Sequence, residues 1–349
     1  MKKTDTKFIL SLFVTAAVLG LLFVLIKRVS PPERVDSGYR EAMGTFARVV
    51  CVHEDPAVSR KAIEGAFDQI HQVEKLMNIY DEDSQISKIN RAAYAEPVKV
   101  DHAVFEVIEK SVLLSGKTDG AFDITAGPVI NLWREAQQQD EPPTQQQIEQ
   151  ALAKVGSEKI VLERENSTVA FSVEGMLLDL GGIAKGYAAD LAVKAIKDAG
   201  ADGAMVDIGG DIRVFGKAPK GAESWLIGLQ DPERAEPTAL NSRPFVVLVL
   251  NDFAVTTSGH YHRFTEIDGA RHSHIIDIHT GQSADGLASV TVFAPTAAQA
   301  DALATAVAVM GKEKGLELIE SLENTEAILI DPQSPEELIK TTGADKFIR

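Results

Sequence analysis

The chain has 349 residues, 45% of them apolar and 25% charged, which suits one large domain or two smaller ones with a sizeable core. A net charge of −16 with no offsetting basic cluster argues against non-specific nucleic-acid binding. The single cysteine, Cys51, rules out an intrachain disulfide and a cysteine-rich metal site, and it is read as a small residue of a β-like run, Phe46–Val52.

Phe8–Ile26 is a charge-free apolar stretch flanked by Lys2, Lys3, Lys7 and then Lys27 and Arg28. As a helix it would span about 28 Å, close to a bilayer core. An uncleaved signal anchor over residues 1–29 is expected, with a cleaved signal peptide as the lesser alternative. No cysteine stands directly after the stretch, which argues against a lipoprotein anchor. Residues 30–38, with Pro31-Pro32, read as a stiff linker, and 39–349 as the folded domain.

Arg40–Val52 reads as a first strand. Ile63, Phe67, Ile70, Val73 and Met77 share one helical stripe over Ala57–Met77. Tyr80–Asn90 is a polar loop entering a short helix, and Val104–Thr118 is a second amphipathic helix. Asp123 and Thr125, inside the apolar turn Asp119–Pro128, need hydrogen-bond partners. Gln137–Gln147 reads as a surface excursion before a short helix, Ile148–Val155. A strand pair, Ile160–Leu162 and Thr168–Phe171, follows.

Met176–Leu180 reads as a buried strand, broken at Gly181-Gly182 before a helix that carries Tyr187, Leu191 and Ala195 until Gly200. Strand, glycine turn and helix N-terminus make a natural anion site, with Lys185 adding a point charge. An ordinary packing unit is the equal alternative. The stretch is neither a Walker loop nor a full dinucleotide fingerprint.

Ala204–Gly216 gives two strands around a glycine turn; Trp225–Leu229, Phe245–Leu250 and Ala254–Gly259 follow. Asp268-Gly269 signals a hairpin between Phe264–Ile267 and Arg271–Ile278. Ala288–Phe293 is a strand, Thr296–Met310 an alanine-rich helix ended by Gly311, and Ala327–Ile330 a last strand. Hairpins mixed with helices fit α+β better than a doubly wound sheet.

His260, His262, His272 and His274 invite a zinc reading, with His272 and His274 on one face of a strand, but no recognisable ligand set completes it. Asp301 and Thr305 stand at i and i+4 on one helix, so both oxygens face the same way. They offer a partial shell for Mg2+, or simply a dipole-favoured Asp beside a packing Thr.

Together these stretches resemble the ApbE family of FAD:protein FMN transferases. The resemblance rests on Met43-Gly44-Thr45, the Tyr80…Ser84-Ile86-Ile89-Asn90 loop, Gly120–Asp123, Asp179–Gly186, Gly209-Gly210-Asp211, Thr257–Gly259, Ser273–Asp277 and Ala300–Thr305. It implies a T-fold-like α+β domain, with mixed sheets and flanking helices around a central FAD cleft. It also implies an exported enzyme that moves FMN from FAD to a Thr or Ser hydroxyl and releases AMP. Acceptors would be flavoprotein subunits of the Na-pumping NADH:quinone reductase or Rnf type. The domain would be periplasmic, held to the inner membrane by its anchor.

By the same resemblance, the Ala184 carbonyl, Asp301 and Thr305 would hold Mg2+, and Lys185 would neutralise phosphate oxygens. Met43 and Tyr80 would pack on the rings, and Asp123 would bind a ribose or ring edge. Ala121, Phe122, Ser258, Gly259 and Ile275 would complete the FAD contacts. His274 and Asp301 would be the catalytic residues, His274 in a proton-transfer or charge-stabilising role. Two positions depart from the family pattern: Asp277 is followed by Ile278-His279 rather than Pro and a basic residue, and His260 follows Ser258-Gly259. An FAD pyrophosphatase and a non-catalytic flavin-binding protein are the alternatives.

Overall fold

The computed structural model describes residues 33–230, 245–259 and 264–349. Its centre is an eight-stranded antiparallel sheet whose spatial order repeats its chain order. The strands are β1 (Glu33–Ala42), β2 (Thr45–His53), β3 (Gly203–Ile208), β4 (Asp211–Gly216), β5 (Ala254–Gly259), β6 (Ser289–Ala294), β7 (Glu326–Asp331) and β8 (Ser334–Lys340). Alternation assigns the two faces. Val49 and Cys51 of β2, with Val290 and Val292 of β6, enter the larger core. Val50, Val52 and Phe293 enter a smaller one, completed by the strand pair Trp225–Leu229 and Val246–Leu250 and by Phe347.

The larger core is roofed by helices. These are α1 (Pro56–Met77), α2 (Gln85–Ala92), α3 (His102–Lys117), α4 (Gly127–Gln139), α5 (Gln145–Leu152), α6 (Ala184–Asp198) and α7 (Ala297–Glu320). Helix α1 starts at Pro56 behind an Asp55 cap and buries the predicted stripe. Helices α6 and α7 pack on each other, and α7 lies on β5 and β6. Its alanines at 297, 298, 300, 302, 304, 306 and 308 are all buried. Such small side chains let α7 sit close to its neighbours, in the manner of a helix enclosed on most sides.

Several expectations are corrected. The β1 strand begins at Glu33, inside the stretch read as linker, because Asp36 is gripped by Arg48 while β1 pairs along β2. Met176–Leu180 forms no ladder. Met176, Leu178 and Leu180 are buried, but the backbone of Leu178 is satisfied by the side chain of Asn90 on both N–H and C=O. Helix α5 begins at Gln145, within the predicted surface excursion, because Thr144 and Gln147 form a reciprocal capping box. Gly311 does not end α7. It takes φ 75° and kinks the helix, which resumes so that Gly315 and Ile319 return to the core. The predicted strand Ala327–Ile330 is β7, but it is not the last: β8 follows it as the second arm of a hairpin.

The expected anchor, Phe8–Ile26, and residues 30–32 of the linker lie outside the described residues. Among the described residues no helix is long and apolar enough to cross a membrane.

Candidate active site

One end of the central sheet collects the conspicuous sequence features. The β1–β2 hairpin at Met43-Gly44 and the β3–β4 hairpin at Gly209-Gly210 lie side by side. Gly209 N–H donates to the Phe46 carbonyl at 3.0 Å, and a Cβ on Gly209 would sit 2.8 Å from the Thr45 side chain. Antiparallel pairing of β4 with β5 brings Ser258 and Gly259 to the same end, opposite Val290 and Ser289.

Helix α6 delivers Lys185 to this end. Its Nζ lies 2.5 Å from Asp211 Oδ2 and 3.5 Å from Asp301 Oδ2. Asp301 Oδ2 also accepts the Gly186 N–H at 3.2 Å. Both carboxylate side chains are only 5% exposed. Burial pushes the Asp211 carboxyl up to about 7, with the Asp301 charge adding to it and Lys185 opposing. Burial also works against the Lys185 charge, but the two carboxylates outweigh it and hold the ammonium above the ordinary lysine range.

Half-buried Thr305, one turn on from Asp301, faces the glycine turn. A Cβ on Gly182 would lie 3.1 Å from Thr305 Oγ1 and 3.3 Å from the Phe122 ring. A larger residue at 182 would push Thr305 or the Phe122 ring aside, so glycine keeps the turn close to both. The structure therefore brings together Lys185, Asp301, Thr305, Phe122 and the first turn of α6, which begins at Ala184. Asp211 joins them. Its signal in the sequence was the glycine hairpin, which gave no hint that its carboxylate would meet Lys185.

Beyond Thr305 a cavity of about 730 Å³ opens between α7 and the segment after the histidines, lined by Ala121, Asp277, His279, Val309, Met310 and Lys314 among others. Gly120 faces the same segment, 3.4 Å from Ile278 and 3.6 Å from the His279 ring by its Cβ position. Ile275 is buried, and His274 is exposed just past the end of the Ala270–Ser273 strand.

Other expected residues are placed differently. Asp123 is occupied by the protein itself, accepting from Ser115 Oγ, Thr125 N and Oγ1, and Ser157 N. It ties the Gly120–Thr125 turn to α3 and to the segment at Ser157. Tyr80 is 77% exposed, with the Arg134 guanidinium 5.4 Å from its ring centre, while Arg134 also pairs with Asp179 at 3.3 Å. Half-buried Met43 holds φ 52° in its hairpin, its N–H donated to Glu74. Asp277 serves the turn, accepting from His279 and Thr280.

His272 and His274 do not share a strand face. His272 packs on the Trp133 ring at 4.8 Å, and the strand ends at Ser273. His260, His262 and Arg263 lie outside the described residues. Among the described residues no group of three or more His, Cys, Asp or Glu is placed to hold a metal ion. The Ala184, Asp301 and Thr305 set is of another kind: a carbonyl, a carboxylate and a hydroxyl, all hard oxygens, the donors that Mg2+ takes.

The description "ApbE family" matches residues 43–329. A FAD:protein FMN transferase of Treponema pallidum is 33% identical over 304 residues, covering 83% of each chain. One of Vibrio cholerae is 32% identical over 309 residues, covering 87% of this chain and 89% of its own. Among solved structures, the flavin transferase ApbE from Vibrio cholerae superposes with a TM-score of 0.76 at 28% identity, over 91% of this chain and all of its own. The ApbE protein from Thermotoga maritima gives 0.78 at 29% identity, over 91% and 99%. The sheet-end site thus sits in a fold and a sequence shared across nearly the whole domain, and the chain belongs to the ApbE family.

Proposed function

We propose that this chain is a Mg2+-dependent FAD:protein FMN transferase. It moves FMN from FAD to a Thr or Ser hydroxyl of an acceptor flavoprotein, of the Na-pumping NADH:quinone reductase or Rnf type, and releases AMP. The relatives' names support the transfer. The observation that carries it at residue level is the convergence of Lys185, Asp301 and Thr305 on the Gly181-Gly182 turn at the start of α6.

In the reaction the acceptor oxygen bonds to the phosphorus on the FMN side of the pyrophosphate. The bond from that phosphorus to the bridging oxygen breaks, AMP carries that oxygen away, and the hydroxyl proton is given up. Negative charge grows on the phosphate oxygens, and an acidic chain needs local positive charge to receive them. The Ala184 carbonyl, Asp301 and Thr305 would hold Mg2+, which supplies Lewis-acid stabilisation when bound. Lys185 holds a fixed positive charge beside that corner, kept ionised by Asp211 and Asp301. The cavity beyond Thr305 gives the ring systems room, with Ala121 on its wall. His274, exposed just past the Ala270–Ser273 strand, is assigned the proton-transfer or charge-stabilising role. A periplasmic domain held by Phe8–Ile26 completes the proposal.

The test is to incubate the full chain with FAD, Mg2+ and a flavoprotein acceptor, and to read flavin fluorescence on the denatured acceptor band. Fluorescence that needs Mg2+ and disappears in Asp301→Ala supports the proposal. Free FMN and AMP with an unlabelled acceptor would show a pyrophosphatase instead, and no AMP at all a binding protein.

A further inference from the structure

Two helices carry the groups of the proposed Mg2+–pyrophosphate corner: Ala184 and Lys185 on α6, Asp301 and Thr305 on α7. Their relative placement is set by contacts on the next turn of α6. Gly186 and Asp190 are four residues apart and share a face. A Cβ on Gly186 would lie 2.3 Å from the Ala297 carbonyl oxygen, so here the two backbones touch. Directly beside that contact Asp190 accepts two hydrogen bonds from the first turn of α7, from Ala297 N at 2.9 Å and from Ala298 N at 3.0 Å. The Thr296 cap serves only Gln299 N, so without Asp190 these two donors would lack a partner. In return Asp301 of α7 accepts the Gly186 N–H of α6. Arg213 of β4, its side chain 11% exposed, approaches Asp190 to 3.6 Å and offsets its charge.

We propose that Asp190 is a positioning residue: with Asp301 it forms a reciprocal carboxylate–amide clamp that fixes α6 against α7 and so sets the spacing of the metal-binding oxygens. This rests on the Mg2+ reading above. Asp190 touches neither substrate nor metal and acts through the two helices. A carboxylate suits the task because it presents two acceptors to two adjacent N–H groups. The amide of Asn presents one, and its NH2 would face a donor.

The experiment titrates Mn2+ alone into the full chain and reads free Mn2+ by electron paramagnetic resonance, far below the unfolding temperature. Asp190→Asn is expected to weaken Mn2+ binding by roughly 10–100-fold, the usual effect of losing a group that orients ligands. Asp301→Ala is expected to abolish it. A merely structural Asp190 would lower the melting temperature and leave the affinity of the folded protein unchanged. Binding by Asp190→Asn within about twofold of wild type, with Asp301→Ala inactive in binding, overturns the clamp and leaves the metal reading standing. Wild-type affinity in Asp301→Ala removes the metal reading and the clamp with it. A second measurement needs no variant. By reciprocity, Mg2+ with FAD should slow hydrogen exchange in the first turn of α7 of the wild-type chain. Unchanged exchange there contradicts the proposal.

Discussion

Replacing Lys185 by Met keeps much of the side-chain volume and removes the one cation between two buried carboxylates. At an effective dielectric constant of about 20, the contacts at 2.5 Å and 3.5 Å represent roughly 7 and 5 kcal/mol of attraction. Most of that is offset, since the ammonium no longer has to be desolvated. What remains is the cost of two opposed carboxyl groups, each 5% exposed, one of which must take up a proton to relieve the repulsion once Lys185 no longer holds it down. Breaking a buried pair in this way costs about 3–5 kcal/mol. Urea unfolding of the full chain at pH 8, with EDTA present so that no metal replaces the lost charge, should show a loss of that size. Asp211→Asn added to Lys185→Met removes one of the opposed charges and should restore most of the loss. Lys185→Met within about 0.5 kcal/mol of wild type, or a double variant no better than the single one, would refute the electrostatic reasoning.

Asp123→Ala should destabilise by about 3–5 kcal/mol, because four donors lose their acceptor, and its melting temperature would fall even without FAD; an unchanged melting temperature would return Asp123 to a ligand-binding role. Tyr80→Ala should leave stability within about 0.5 kcal/mol, given its exposure, yet weaken FAD binding by about 0.5–1.5 kcal/mol in a fluorescence titration. Equal FAD affinity would remove Tyr80 from the site. The Arg48 guanidinium, bonded to Asp36 at 3.0 and 2.6 Å, holds that carboxyl well below the usual carboxylate range of 3.8. A depressed carboxyl stabilises above its unfolded value and loses that contribution as pH falls toward its folded value. The gap in urea midpoint between wild type and Asp36→Asn should therefore be flat above about pH 5 and narrow below 3.8, and a gap that widens on acidification contradicts the pairing.

Periodicity made much of the architecture legible. The α1 stripe, the glycine hairpins at 209–210 and 268–269, and the alternation in β2 each report a single local preference. Elements that depend on a distant partner were hidden. Met176–Leu180 has the composition of a strand, but Asn90 satisfies its central peptide and no ladder forms. The Gly311 stop signal lost to the burial of Gly315 and Ile319 further along.

The site divides in the same way. Asp301 and Thr305 share a helix face, a local fact that their spacing revealed. Their meeting with Gly182 and Lys185 was reached only through family resemblance. Asp190 carries no local signal, and Asp211 shows only as the residue after a glycine turn, because their partners are 107 and 26 residues away. Asp123 shows the reverse error, since its need for partners was visible but the protein itself meets it.

On the proposed function, the corner formed by Lys185, Asp301 and Thr305 transfers FMN to another protein's hydroxyl. Intact-mass analysis of a flavoprotein acceptor, after incubation with the full chain, FAD and Mg2+, tests it most directly when AMP is quantified in the same tube. Transfer gives an added mass of FMN less one water on one Thr or Ser, one AMP per modified acceptor, and neither product with Asp301→Ala. An unmodified acceptor beside accumulating AMP, or full modification by Asp301→Ala, would contradict it.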